Sequence, residues 1–297
     1  MQFQNFTKRV VEYFEEELGE EYNIDLINVD KNNSTGYLGL RILKNNENIA
    51  PCIYLAQYFQ MLSEKHDLEA VLEMIMSNYV NAVQIKADMQ FFQDFEKIRG
   101  RIFSKIINTE KNKELLDQIP HVDYLDWSIV YYMKVPEEIV PGTILIRNNH
   151  LVMWGIESTE LINAAKVNNE KFLPVEINGM GSVIKGLLLN DEPECEELDL
   201  ESEQMLVATN KSRMFGANSI LYEGVLEGIS ERKGLDIFVL PSSVHEAILI
   251  LDDGTLIPED LKNIVVDVNQ NIVDKEEVLS DHVYKYSRES KKITIVA

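Results

Sequence analysis

From residue 205 to the C-terminus the chain is a succession of short apolar runs, "MLVATN", "DIFVLP", "VHEAILIL" and "KKITIVA". Each has the length of a strand and is set off by turn-forming residues. The longer segments between them, "GANSILYEGVLEGISERKG" and "PEDLKNIVVDVNQNI", read as helices, the second with Pro258 near its first turn. Strands and helices therefore mix without the strict alternation of a doubly wound sheet. The fold class this predicts is α+β, with mixed or antiparallel sheets and packed helices.

The N-terminal half is richer in helix. Phe3, Phe6, Val10, Phe14 and Leu18 recur at helical spacing. "YNIDLINV" and "GYLGLRIL" read as paired strands around the polar turn "DKNNST", and "CIYLAQYFQML" after Pro51 reads as a short helix. A long helix begins at Asp67, with Leu68, Val71, Leu72, Ile75, Met76, Tyr79, Val80 and Val83 on one side. The pattern resumes at Met89, Phe92, Phe95, Ile98, Ile102 and Ile106. A stripe of this kind is a buried core face; the heptad of a coiled coil is not kept. The polar stretch "NTEKNKELLDQ" at 108–118 places a link there, dividing the chain into a helix-rich region, 1–118, and a second α+β region, 119–297. In the second region "LDWSIVYYMKV", "GTILIRN" and "HLVMWGI" read as three strands of a meander, with "RNNH" as a tight turn. "STELINAAKVNN" reads as a helix. Residues 190–203 form an acidic loop, expected to be exposed and mobile. "DEPECEELDLESE" within it lacks the ligand spacing of a calcium loop.

Charge narrows the function classes. The 297 residues include 50 acidic and 28 basic side chains, a formal net charge of −22. Such a surface repels phosphate backbones, and no basic cluster offsets it, so direct nucleic-acid binding is not expected. An anionic membrane surface is disfavoured on the same ground. No apolar stretch is long enough to span a bilayer, and the N-terminus lacks the basic start and apolar run of a signal peptide. Cys52 and Cys195 are too few and too far apart for a disulfide framework or a four-cysteine zinc site. A cytoplasmic protein without a cofactor is the expectation.

Catalytic spellings are incomplete. "VHEAILIL" carries His245 and Glu246 in the order of a zinc-protease helix, but the second histidine position is Leu249. The turn signals on either side make it a strand, on which His245 and Glu246 face opposite ways. "NGMGSVIKG" is glycine-rich but has the spacing of neither a dinucleotide fingerprint nor a P-loop, and reads as a turn into a short helix. Ser280, Asp281 and His282 supply the residue types of a hydrolase triad, yet adjacent side chains diverge, and Asp281 reads as a cap or turn residue. His66, His121 and His150 are scattered. No metal site is expected.

"PHVDYLDWSIVYY", "NNHLVMWGI", "INAAKVNN", "ATNKSRMFGANSILY", "LPSSVHEAILI" and "EEVLSDHVYKY" resemble the signature segments of an uncharacterised family, the domain of unknown function DUF5688. The resemblance covers most of the chain and is strongest from residue 119. It implies a bacterial protein of the kind found in Gram-positive gut anaerobes, often encoded on mobile elements. A fainter similarity, in the order of the "AAKVNN" and "TN…GA" segments, reaches a second uncharacterised bacillar family. Neither supplies an activity or catalytic residues.

Three functions are therefore weighed. The first is a non-enzymatic binding or regulatory module whose partner is a protein or a small anionic ligand. The second is a hydrolase using Ser243, His245 or the 280–282 group. The third is an acidic mimic of DNA that inhibits a DNA-binding enzyme. The candidate ligand site is Asn210, Arg213, Ser242 and Ser243. Were "MLVATN" and "DIFVLP" parallel and joined by a right-handed crossover, their C-terminal ends would gather these residues beside a helix N-terminus, which favours an anion.

Overall fold

A computed structural model gives the fold and describes residues 2–30, 32–45, 52–63, 67–138, 142–189 and 203–297. The acidic stretch 190–202 lies outside them, as do Cys195 and His66. The fold is α+β. The chain separates into two compact units, Met1–Asp94 with Pro136–Pro141, and Phe95–Val135 with Gly142–Ala297. Residues 108–118, where the sequence suggests a link, lie within the second.

The first unit contains α1 (Phe3–Leu18), β1 (Tyr22–Asp30), β2 (Gly36–Lys44), β3 (Cys52–Tyr54), α2 (Ala56–Ser63) and α3 (Leu68–Asp88). Its three strands form an antiparallel sheet in chain order. Phe6, Val10 and Phe14 fall on one face of α1 and are fully buried against Leu40 and Ile42 of β2 and Val71 and Ile75 of α3. Each such side chain contributes about 1.5–3 kcal/mol through burial. The expected helix after Pro51 is shorter than its apolar run. Ile53 pairs with Leu40 in the β2–β3 ladder, so residues 52–54 are drawn into the sheet before the helix begins at Ala56.

The second unit contains α4 (Phe95–Ile98), β4 (Ile102–Asn108), α5 (Lys113–Leu116), β5 (His121–Tyr124), β6 (Trp127–Lys134), β7 (Thr143–Leu145), α6 (Asn148–Trp154), α7 (Ser158–Phe172), β8 (Val175–Gly179), α8 (Met180–Leu189), β9 (Met205–Asn210), α9 (Val225–Lys233), β10 (Asp236–Pro241), β11 (Ala247–Asp252), α10 (Pro258–Asn271), β12 (Tyr284–Ser287) and β13 (Lys292–Ile295). Six strands form one sheet in the order β13-β12-β10-β11-β9-β8. In the second sheet β6 pairs with β4 on one side and with β5 and β7, end to end, on the other. All of these pairings are antiparallel.

Alternation along the strands explains the uninterrupted apolar runs. Ile237, Val239, Leu249 and Leu251 join Ile106 and Trp127 of the other sheet in one core. Phe238, Leu240 and Ile250 pack with Leu261 and Val265 of α10 in another. Both faces of β10 and β11 are covered, so neither strand has a polar side.

Three elements differ from the sequence expectation. The stripe at 89–106 does not continue the long helix: Ile102 and Ile106 belong to β4, where Ile106 pairs with Ile129. "HLVMWGI" is helix α6, not a third strand of the meander. Arg147 N–H donates to His150 Nδ1 at 3.1 Å, satisfying one amide at its start, and Gly155 ends it. Val152, at 82% exposure, faces solvent, while Leu151 beside it is buried. The helix expected over 216–234 is broken into a 3-10 segment, Gly216–Leu221, and α9. Asn218 Nδ2 donates to Ser104 O at 3.2 Å and Ser219 Oγ to Thr209 O at 3.0 Å, holding the first piece against β4 and β9. Gly224, at φ 78°, then turns the chain in the left-handed region that favours glycine.

Candidate functional site

Strands β9 and β10 are both antiparallel to β11, so they run in the same direction with β11 between them. In register, Pro241 faces Ala247, which faces Ala208. Asn210, the last residue of β9, and Ser243, two residues past β10, therefore lie at the same end of the sheet, separated by the lead-in to β11. That lead-in contains His245. Strand β11 starts at Ala247, so His245 and Glu246 sit in the corner before it and not within the expected strand.

His245 ties the edge together. Its N–H donates to Ser243 Oγ at 3.0 Å, and its carbonyl accepts Thr209 Oγ1 at 2.9 Å. Phe215 N–H donates to His245 Nδ1 at 3.1 Å, which requires a lone pair there and leaves the ring proton on Nε2. That nitrogen faces Glu277 Oε1 at 3.3 Å. The Phe215 ring stacks on His245 with centroids 5.5 Å apart and 12° between planes, and Lys105 Nζ lies 4.0 Å from its centroid. Close approach is needed here: a Cβ on Gly216 would stand 2.6 Å from both Asn210 N and His245 O.

Asn210, only 2% exposed, organises the loop that follows. Its Oδ1 accepts Ser212 N–H at 3.0 Å and Ser212 Oγ at 2.9 Å, while Nδ2 donates to Met214 O at 2.9 Å. Arg213 N–H donates to Asn210 O at 2.8 Å. These bonds hold Arg213 at φ 54° and Phe215 at φ 56°, conformations that cost about 1–2 kcal/mol each for side chains of this kind. The loop amides are thus occupied. Ala217 N–H goes to Val244 O at 3.4 Å, and the helix expected to offer free amides begins only as the short 3-10 segment. What remains toward solvent is cationic: Lys211 and Arg213 are exposed, and neither pairs with a carboxylate among the described residues. Ser242 is half-buried, and Ser243 is buried.

The 280–282 group does meet a carboxylate, but a distant one. Asp126 lies in the two-residue turn between β5 and β6, after Leu125 at φ 58°. Ser280 Oγ donates to Asp126 Oδ2 at 2.7 Å, His282 Nδ1 reaches the same oxygen at 3.0 Å, and Tyr284 OH donates to Asp126 Oδ1. Burial pushes the Tyr284 hydroxyl far above its ordinary range, and the bond to Asp126 pushes it further. A hydrolytic relay needs the serine hydroxyl at the imidazole nitrogen opposite the carboxylate. Here hydroxyl and imidazole converge on one carboxylate oxygen, and Ser280 is fully buried. The arrangement is a clamp between a hairpin and the C-terminal strands. Asp281 accepts Asn269 Nδ2 at 2.8 Å and takes no part in it.

Two clefts lie elsewhere in this unit. One, of about 290 Å³, is lined by Tyr124, Tyr222, Tyr286, Ile220 and Ile293 and flanked by the Lys291–Glu227 ion pair. The second, of about 260 Å³, lies between β8 and α9. Sequence reasoning missed Asp126, Lys105 and Phe215. Nothing local marks them, because each acquires its partner across more than thirty residues or from another strand. Among the described residues no three His, Cys, Asp or Glu side chains gather as a metal ion would need. No helix among them is long and apolar enough to cross a membrane.

No curated protein and no solved structure matches the chain. Residues 3–288 match the family of unknown function DUF5688, and the chain belongs to that family.

Proposed function

We propose that this chain is a cytoplasmic binding or regulatory module rather than an enzyme, and that the Asn210–Phe215 loop engages an anionic group on a small ligand or protein partner. One observation carries the reading. The imidazole of His245 and the buried hydroxyl of Ser243 are committed internally, whereas the guanidinium of this edge makes no ion pair among the described residues. His245 Nδ1 is filled by Phe215 N–H, and Ser243 Oγ faces a backbone amide, not an imidazole. Arg213 stands exposed on a loop fixed by a buried asparagine, without a carboxylate partner among the described residues. In a chain of net charge −22, an arginine left unpaired suits a carboxylate or phosphate, which its fork can bind through two parallel hydrogen bonds.

The experiment is a thermal-shift series with phosphate, sulfate, citrate and short dicarboxylates on wild type and Arg213→Ala. At a hundredfold excess over Kd a ligand stabilises by about 2.7 kcal/mol. The expected result is an anion that raises the wild-type midpoint and has no effect on the variant. Equal responses in both proteins refute the loop. Hydrolysis of an activated ester that disappears in His245→Ala or His282→Ala would refute the non-enzymatic reading.

A further inference from the structure

The cleft between β8 and α9 differs in kind from the loop. Its floor is Val175 and Ile177 of β8 with Leu206 of β9, and its wall is Val225 and Ile229 of α9. On α9 the residues at 225, 228, 229 and 232 share one face by helical spacing. The opposite side holds the unit's core through Leu226 and is fastened by Ser230, whose Oγ donates to Leu235 O at 2.6 Å. The cleft is open beside Gly228, where a Cβ would meet nothing within 4 Å. One turn on, Arg232 and Lys233 complete the lining. Arg232 is exposed and makes no ion pair among the described residues. Its neighbour Lys233 is already engaged, with Nζ donating to Glu203 O at 3.4 Å.

An apolar hollow with a single unpaired guanidinium at its rim has a definite complement. We propose that this cleft is a binding site for a small amphiphilic carboxylate, its apolar tail between β8 and α9 and its head group on Arg232. The cleft volume of about 260 Å³ limits the ligand to a short aliphatic tail. Burying that tail supplies the affinity, and the charge-assisted bond to Arg232 sets orientation and selects an anion over a neutral amphiphile. Most of this protein's surface would repel such a molecule; the rim at Arg232 is an exception.

The test is calorimetric titration of the full chain with sodium octanoate, 1-octanol and sodium butyrate. Octanoate has both tail and charge, octanol the tail alone, and butyrate the charge with a short tail. Saturable one-to-one binding is expected for octanoate, with octanol and butyrate weaker by about tenfold or more, the loss expected for one charge-assisted hydrogen bond or several buried methylenes. Gly228→Leu fills the open space, raises helix propensity and should abolish binding without lowering the melting midpoint. Arg232→Gln, at an exposed position that keeps the fold, should reduce octanoate to the affinity of octanol. The proposal is overturned if octanoate does not saturate wild type or if Gly228→Leu still binds. It is equally overturned if Arg232→Gln retains full affinity, which would make Arg232 only a cation at the helix C-terminus. None of these variants touches Arg213, so the outcome is independent of the loop.

Discussion

Removing the Asp126 carboxylate should destabilise the second unit strongly. Three side chains, Ser280, His282 and Tyr284, direct hydrogen bonds at it. A hydrogen bond to a charged acceptor contributes about 1.5–3 kcal/mol, and bonds sharing one acceptor do not add fully. In Asp126→Ala, His282 turns to water, being half-exposed. Ser280 and Tyr284 are both fully buried, and their hydroxyls lose this acceptor. Two stranded donors and a lost ionic hub should cost about 3–5 kcal/mol, a large share of the 5–15 kcal/mol that holds a typical domain. At about 2–4 °C per kcal/mol the midpoint should fall by roughly 10 °C. Asp126→Asn keeps the shape and one acceptor oxygen, so about half that loss is expected. Denaturant unfolding followed by the near-ultraviolet signal of Trp127 reports the event directly, because its ring centroid lies 4.2 Å from that of Tyr284. If Asp126→Ala unfolds within about 0.5 kcal/mol of wild type, the range of an ordinary surface substitution, the clamp is not what joins the hairpin to the C-terminal strands.

Two further outcomes follow from charged groups. Burial, aided by Arg147, holds the His150 imidazole below its ordinary range, and its Nδ1 accepts a helix amide only when deprotonated. The unfolded state therefore binds this proton more readily, so the site's stability is fully present above about pH 6.5 and is lost as pH falls through the lower folded value. The free-energy difference between wild type and His150→Gln, measured from about pH 4 to 8, should rise with pH and then level; a flat difference refutes it. Asp236 and Asp252 face each other across β10 and β11, a like-charge pair that Lys285 Nζ bridges at 3.2 and 2.6 Å. Lys285→Met should cost about 1–2 kcal/mol in urea unfolding at neutral pH, and Asp236→Asn in that background should restore part of it. No restoration would mean that the two carboxylates do not repel.

Much of the architecture was legible in residue spacing. The α+β class, the strand pair at 22–44, helix α7 and the strands β9, β10 and β13 all follow from local apolar periods and turn residues, which these elements carry within themselves. Where a short apolar segment suits two periods, tertiary partners chose between them. Ile106 became strand because β6 offers it a ladder, and "HLVMWGI" became helix because His150 caps its own turn. Of the candidate site, the gathering of Asn210 and Ser243 at one end of a sheet followed from strand direction. That β11 would lie between them, with His245 joining the two, did not.

The sequence by itself determined which segments could be strands or helices, the acidic surface, and membership of a family through motifs spread from residue 3 to 288. Only the tertiary structure decided which polar side chains meet. Ser280 and His282 were visible as neighbours, but their carboxylate is Asp126, more than one hundred and fifty residues away. The open cleft beside Gly228, and the lack of an ion pair at Arg232 among the described residues, likewise have no local signature. The physical reason is that backbone propensities are settled within a few residues. A hydrogen-bonded hub or a cleft depends instead on strand order and register, which are set by burial of the whole core.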